Sequence, residues 1–220
     1  MLISHRCRFI YLKTRKTGGT SVEIYFEPYC LAPQSDASVQ HHRPPAVSEW
    51  GVVGSRGFAD ETWFNHMPAS RVRELIGDDI WGQYYKFCVV RNPFDKVVSQ
   101  FWFDLAPPLR ETLWQADFSV VREAFSAWSA GLHFPSDQWI YTIDDAPAVD
   151  RFVRYERLPK DLAEVCHRLA IPWQPDRLGR YKGEFRMRKE PFSEYYDDTA
   201  ASRVCRKYAW ELEYFGYSLK

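Results

Sequence analysis

The 220-residue sequence lacks several features that would fix its class at once. No apolar run approaches the roughly 18 residues needed to span a bilayer. Its first thirty residues contain no signal-like apolar core, because Arg6, Arg8 and Lys13 interrupt every short run. A chain of this kind is expected to be cytoplasmic, with no membrane partner. Excess charge is missing too, since 29 Lys and Arg balance 29 Asp and Glu. No global field would draw such a chain to nucleic acid, so any anion site must be local. The five cysteines, Cys7, Cys30, Cys88, Cys166 and Cys205, are odd in number, widely spaced and without a C-x-x-C pair. That excludes a disulfide framework or a zinc knuckle and suits a reducing compartment. Internal repeats and low-complexity tracts are also absent.

Apolar bulk is plentiful. Hydrophobic residues make up 45% of the chain and aromatics 17%, with nine tryptophans, enough for a substantial core in a single domain spanning 1–220. Phe9–Thr14 reads as a short buried strand and Thr20–Phe26 as a helix ended by Pro28. Residues 28–60 are rich in Pro, Gly, Ser and His, and read as a long irregular connection of the kind that often carries function. A helix is predicted over 68–76, with Val72, Leu75 and Ile76 on one face. A strand follows over 86–90, then a helix over 92–103 and another over 119–130 ended by Gly131. The pattern continues with a strand over 150–155, a helix over 159–169, an irregular basic stretch over 173–193 and a closing helix over 199–214 before Gly216. Strands alternating with helices predict an α/β fold, a parallel sheet flanked by helices.

Two turns carry the chemistry. In "FIYLKTRKTGGTSVEIYF" a buried strand meets a Gly-containing loop and then a helix. The free N–H groups of the first helical turn and the helix dipole together favour an anion there. Gly18 and Gly19 let oxygens approach the backbone. Thr17 lies within the loop, Thr20 and Ser21 add hydroxyls, and Lys16 adds a full charge. The nucleoside-triphosphate loop G-x-x-x-x-G-K-[ST] places Lys after its last glycine, whereas Lys16 precedes both glycines here. No carboxylate at a strand end offers itself to magnesium, so protein donors are expected to hold the anion with no metal. In "FCVVRNPFDKVVSQFWF" Arg91 follows the strand, where open α/β sheets bind ligands. Asn92 suits the N-cap, Pro93 the first helical position and Asp95 the positive first turn. Ser99 lies about two turns further on, off the stripe of Phe94, Val97, Val98 and Phe101.

Together, "KTRKTGGTS" and "VVRNPFDKVVSQF" resemble the PAPS-dependent sulfotransferases, in particular their carbohydrate and bacterial branch (PAPS is 3′-phosphoadenylyl sulfate). "FVRYERLPKDLAEVCHRLAIP" and the ending "EYYDDTAASRVCRKYAWELEYFGYSL" extend the likeness over most of the chain. The resemblance implies a P-loop-like sulfotransferase fold and transfer of a sulfuryl group from PAPS to an acceptor hydroxyl, releasing PAP. The acceptor would be a glycan, a glycolipid or a small metabolite. It also implies that the loop from Lys16 to Ser21 holds the 5′-phosphosulfate, while Arg91 and Ser99 hold the 3′-phosphate. Lys16 would take the charge developing on the bridging oxygen, and His66, in "WFNHMPASRVREL", would take the acceptor's proton. His41, His42, Glu23 and Glu61 are weaker candidates for that base. The run "RLGRYKGEFRMRK" holds six basic residues against Glu184, and Arg186 and Arg188 within it are candidate donor contacts. Tyr155 and Glu156 are expected to brace the sheet end. Some relatives carry Pro where this chain has Arg15, which either adds charge near the donor or points to solvent. A P-loop-type kinase and a non-catalytic anion- or glycan-binding module are the rival readings.

Overall fold

Phe9–Leu12 and Phe87–Val90 are unbroken runs of buried residues, the signature of strands covered on both faces. The computed structural model describes residues 1–33, 35, 42–60, 62–131, 136–181 and 183–220. In chain order its elements begin with β1 (Leu2–Ser4), β2 (Phe9–Leu12), α1 (Gly19–Phe26), β3 (Ala46–Ser48), β4 (Gly51–Val53), α2 (Ala69–Gln83) and β5 (Tyr85–Val90). Next come α3 (Pro93–Asp104), α4 (Pro107–Gln115), α5 (Phe118–Ala130), α6 (Gln138–Tyr141), β6 (Thr142–Ile143), β7 (Ala146–Pro147) and β8 (Arg151–Arg154). The chain closes with α7 (Leu158–Arg168), α8 (Asp198–Lys207) and α9 (Ala209–Phe215). These elements gather into two compact units, Met1–Val90 with Asp137–Tyr181, and Arg91–Ser136 with Lys182–Lys220.

The first unit is α/β. Its six-stranded sheet runs β3-β4-β1-β2-β5-β8. Only part of it is parallel, against the expectation of a parallel sheet. β2 pairs parallel with β5 (Tyr11 opposite Phe87) and β5 parallel with β8 (Val89 opposite Val153). β1, β3 and β4 add antiparallel pairings (Ile3 opposite Ile10 and Val52, Val47 opposite Val52). The cause is connection length. β1–β2 and β3–β4 are joined by turns of a few residues, which permit only antiparallel pairing, whereas β2 reaches β5 through a long crossover that includes α1. The stretch 28–60 is therefore not wholly irregular, since it contributes β3 and β4. On the core side Phe26 of α1 meets Phe9 and Phe87 edge-on, with centroids 5.5 and 5.2 Å apart. Leu162 and Val165 of α7 join the same core. In α2, Gly77 (φ 79) interrupts the helix one residue past the predicted end.

The second unit is helical, built from α3, α4, α5, α8 and α9. Phe94, Val97, Val98 and Phe101 of α3 are all buried, with Val121 and Phe125 of α5 and Val204 and Tyr208 around α8. Trp102 Nε1 donates to the Tyr195 hydroxyl at 3.2 Å, so the buried indole has its partner. The predicted closing helix is two helices, parted at Tyr208 (φ −113, ψ 25), whose ring is fully buried. Gly216 (φ 65) ends the second of them as expected. Sequence patterning missed α4. Its Pro107–Pro108 pair reads as a break, yet proline is well suited to a first helical turn.

Candidate functional site

In the first unit the loop leaves the C-terminal end of β2 and enters α1. The Thr14 hydroxyl donates to the Val89 carbonyl of β5 at 2.5 Å. With its one proton used there, Thr14 Oγ1 accepts from the Thr17 hydroxyl at 2.8 Å. Thr17 is 1% exposed, so its side chain braces the loop and only its backbone is placed for a ligand. Lys16 (φ 57) and Gly18 (φ 72, ψ 17) both sit in the left-handed region. Gly18 is required there by that conformation, and a Cβ would also lie 3.2 Å from the Tyr155 ring. Tyr155 thus packs against the loop, whereas its sequence position suggested a brace for the sheet end. Gly19 has a different reason: a Cβ would come within 3.0 Å of Lys13 Cγ and 3.1 Å of the Thr14 carbonyl.

This turn leaves donors without acceptors. No side chain caps α1, and the amides of Thr17, Gly18, Gly19 and Thr20 bond to no other described residue. Ser21 Oγ accepts from the Tyr181 amide at 3.2 Å, leaving its own proton to donate. The Thr20 hydroxyl, 9% exposed as a residue, makes no bond to another described residue. A cluster of charge lies behind the loop. Glu23 of α1 is completely buried and pairs with Lys13 (2.8 Å), Arg56 (2.8 Å) and the Met1 amine (3.1 Å). Burial would raise its pKa, but these three cations outweigh burial and hold the carboxyl well below the usual range. Glu23 is therefore a structural anion and not a base.

His66 stands just before α2, in the left-handed region (φ 59) and half-buried. Its Nδ1 is 3.0 Å from the Lys13 carbonyl. A carbonyl only accepts, so Nδ1 carries the proton and Nε2 presents the lone pair. Burial first, and then the charge on Lys13, lowers its pKa to about 3. The ring is consequently neutral across the physiological range. His42 is exposed, 3.4 Å from the Gly57 carbonyl. His41 and Glu61 lie outside the described residues.

In the second unit Asn92 caps α3 as expected, its Oδ1 accepting from the Phe94 amide at 3.0 Å. Asp95 accepts from Arg91 Nε at 2.8 Å on one oxygen and from Arg186 at 2.6 Å on the other. The structure thus brings together Arg91 and Arg186, which are distant in sequence, through a carboxylate whose role in joining them the sequence reading missed. Spacing alone marked half of it, since Arg91 and Asp95 are four apart. Ser99, one turn beyond Asp95, is half-buried, and its hydroxyl makes no bond to another described residue. Arg188 is engaged elsewhere. Its guanidinium donates to the carbonyls of Leu113, Trp114 and Ala116 at the end of α4 (3.3, 3.2 and 2.7 Å) and pairs with Glu190.

Among the described residues no group of three His, Cys, Asp or Glu side chains is arranged to hold a metal, and no helix is long and apolar enough to cross a membrane. None of the five cysteines is in a disulfide. A shallow depression of about 430 Å³ lined by Ser70, Arg73, Glu74, Gly77, Asp78 and Ile143 includes none of the residues considered above.

No protein-family model matches the chain, and no solved structure matches it. Over 111 residues it is 28% identical to an uncharacterized protein of Archaeoglobus fulgidus, an alignment covering 50% of this chain and 88% of that one.

Proposed function

We propose that this chain is a sulfotransferase that moves a sulfuryl group from PAPS to an acceptor hydroxyl and releases PAP. The observation that carries the reading is the run of four backbone amides, Thr17 to Thr20, left without an acceptor among the described residues at the end of a buried parallel strand. Such a row of donors at a helix N-terminus suits phosphate or sulfate oxygens. Lys16 and the hydroxyls of Thr20 and Ser21 would complete the contacts to the 5′-phosphosulfate. Arg91, held by Asp95 together with Arg186, and Ser99 would take the 3′-phosphate. The strip β2-β5-β8, with the loop following β2, supports a P-loop-like sulfotransferase fold.

In the proposed step the acceptor oxygen bonds to sulfur, and the bond from sulfur to the bridging phosphate oxygen breaks. The acceptor's proton passes to His66 Nε2. The charge left on the phosphate oxygen is met by Lys16. A sulfuryl group carries less charge than a phosphoryl, so positioning and fixed donors can supply most of the catalysis. Burial and the charge on Lys13 make His66 a weak base, and the negative charge of a bound donor would offset the field of Lys13 and raise its basicity.

The test is incubation of the purified protein with sulfur-labelled PAPS and a host extract in the presence of a chelator, followed by mass spectrometry. Label on an extract component is expected. PAP binding without any loss of sulfuryl from PAPS would favour a non-catalytic binding module instead. Turnover only with ATP and magnesium would favour a kinase.

A further inference from the structure

Arg15 and Trp139 are far apart in sequence but meet beside the loop. The Arg15 guanidinium lies 5.4 Å from the Trp139 ring centroid. Of the nine tryptophans, Trp139 is the one that stands well out of the protein, at 43% exposure. The pair is held from beneath. Asp137, 1% exposed, accepts the Arg15 amide at 2.8 Å, and its other oxygen is 3.9 Å from the guanidinium. A buried carboxylate fixing the backbone of an exposed arginine is more than a chance surface contact requires. The next residue, Lys16, belongs to the anion loop, and His66 Nδ1 bonds the carbonyl of Lys13, two residues before Arg15, at 3.0 Å. A partly exposed indole, a planar cation and a candidate base therefore lie on one stretch of this unit.

We propose that Arg15 and Trp139 form the acceptor platform and select a sugar ring that bears a carboxylate. An indole face packs against the C–H face of a pyranose, the polar edge of the sugar staying in water. A guanidinium matches a carboxylate with two parallel bonds. Asp137 sets the position of Arg15 and so fixes where that carboxylate is read. The presentation of the sugar hydroxyl to His66 rests on the sulfotransferase reading, whereas binding of the sugar does not.

The test separates the two. The protein is labelled with 5-fluorotryptophan, the Trp139 fluorine signal is assigned with Trp139→Phe, and the full chain is titrated with methyl β-D-glucuronide or its neutral counterpart methyl β-D-glucoside. A saturable shift of the Trp139 signal is expected, with the glucuronide binding about tenfold or more tighter, the worth of one charge-assisted pair. Arg15→Ala should remove that preference and Arg15→Lys should restore part of it. Each variant's melting temperature checks that it is folded, and neither side chain contributes to the core. An unmoved Trp139 signal, equal affinity for the two sugars, or a preference that survives Arg15→Ala would overturn the proposal. Stabilisation by PAP, measured on the same preparation, reports on the donor site alone, so failure of either proposal is visible without the other.

Discussion

His66 places a non-glycine residue in the left-handed region with a ring nitrogen tied to the Lys13 carbonyl. Its pKa, lowered to about 3, has two consequences with defined signs. The unfolded chain takes up a proton near pH 6.5 and the folded chain does not until about pH 3. The contribution of His66 to stability is therefore complete above pH 6.5 and lost as pH falls from there towards 3, by up to about 1.4 kcal/mol per pH unit. Urea unfolding of the wild type and of His66→Gln should show a stability gap that narrows over that window. A gap constant from neutral to acidic pH would contradict the environment assigned to the ring. For catalysis, His66→Ala should lower kcat by about 10²–10⁴ with PAP affinity near wild type. The pH profile of kcat/KM should show no inflection near the ordinary imidazole value. An unperturbed imidazole would give such an inflection, and neither the burial of His66 nor its closeness to Lys13 leaves a mark in the local residues.

Among the elements, α1 and α4 show how residues of similar type serve different ends. Glu23 neutralises three cations where β2 meets α1. Removing one member of such a buried group leaves the others uncompensated, so Glu23→Gln should cost about 3–5 kcal/mol in urea unfolding. A loss below about 1 kcal/mol, the worth of an exposed pair, would show that the cluster is solvated. Arg91 and Arg188, both read as anion contacts from their sequence surroundings, should separate cleanly in calorimetry with PAP. Arg91→Ala should weaken PAP by about 1.5–3 kcal/mol. Arg188→Ala should leave PAP affinity near wild type but destabilise the fold by about 1–3 kcal/mol, because three α4 carbonyls lose their donor. Equal loss of PAP affinity in both would return Arg188 to the site.

Across the whole molecule, what was legible in the sequence is what local pattern encodes. The buried runs of β2 and β5, the stripe of α3, the Asn92 cap and the glycines of the loop were all readable, because each depends on neighbours a few residues away. Three kinds of feature were not. The strands β1, β3 and β4 are three residues each, too short for alternation to register. The break at Tyr208 reflects tertiary burial overriding a continuous helical pattern. Asp95 joining Arg91 to Arg186, and Asp137 beneath Arg15, arise from contacts across tens of residues, 91 and 122 respectively. The chain's net charge is zero, so anion binding must come from these local arrangements and not from a long-range field. The most direct measurement of the central claim is calorimetric titration of the protein with PAP and with ATP in the presence of a chelator. The account predicts that PAP binds without metal and ATP much more weakly, since ATP lacks the 3′-phosphate assigned to Arg91 and Ser99. At 100 times its Kd, PAP should add roughly 2.7 kcal/mol of stability. Equal affinities for the two nucleotides, or PAP binding that requires magnesium, would contradict it.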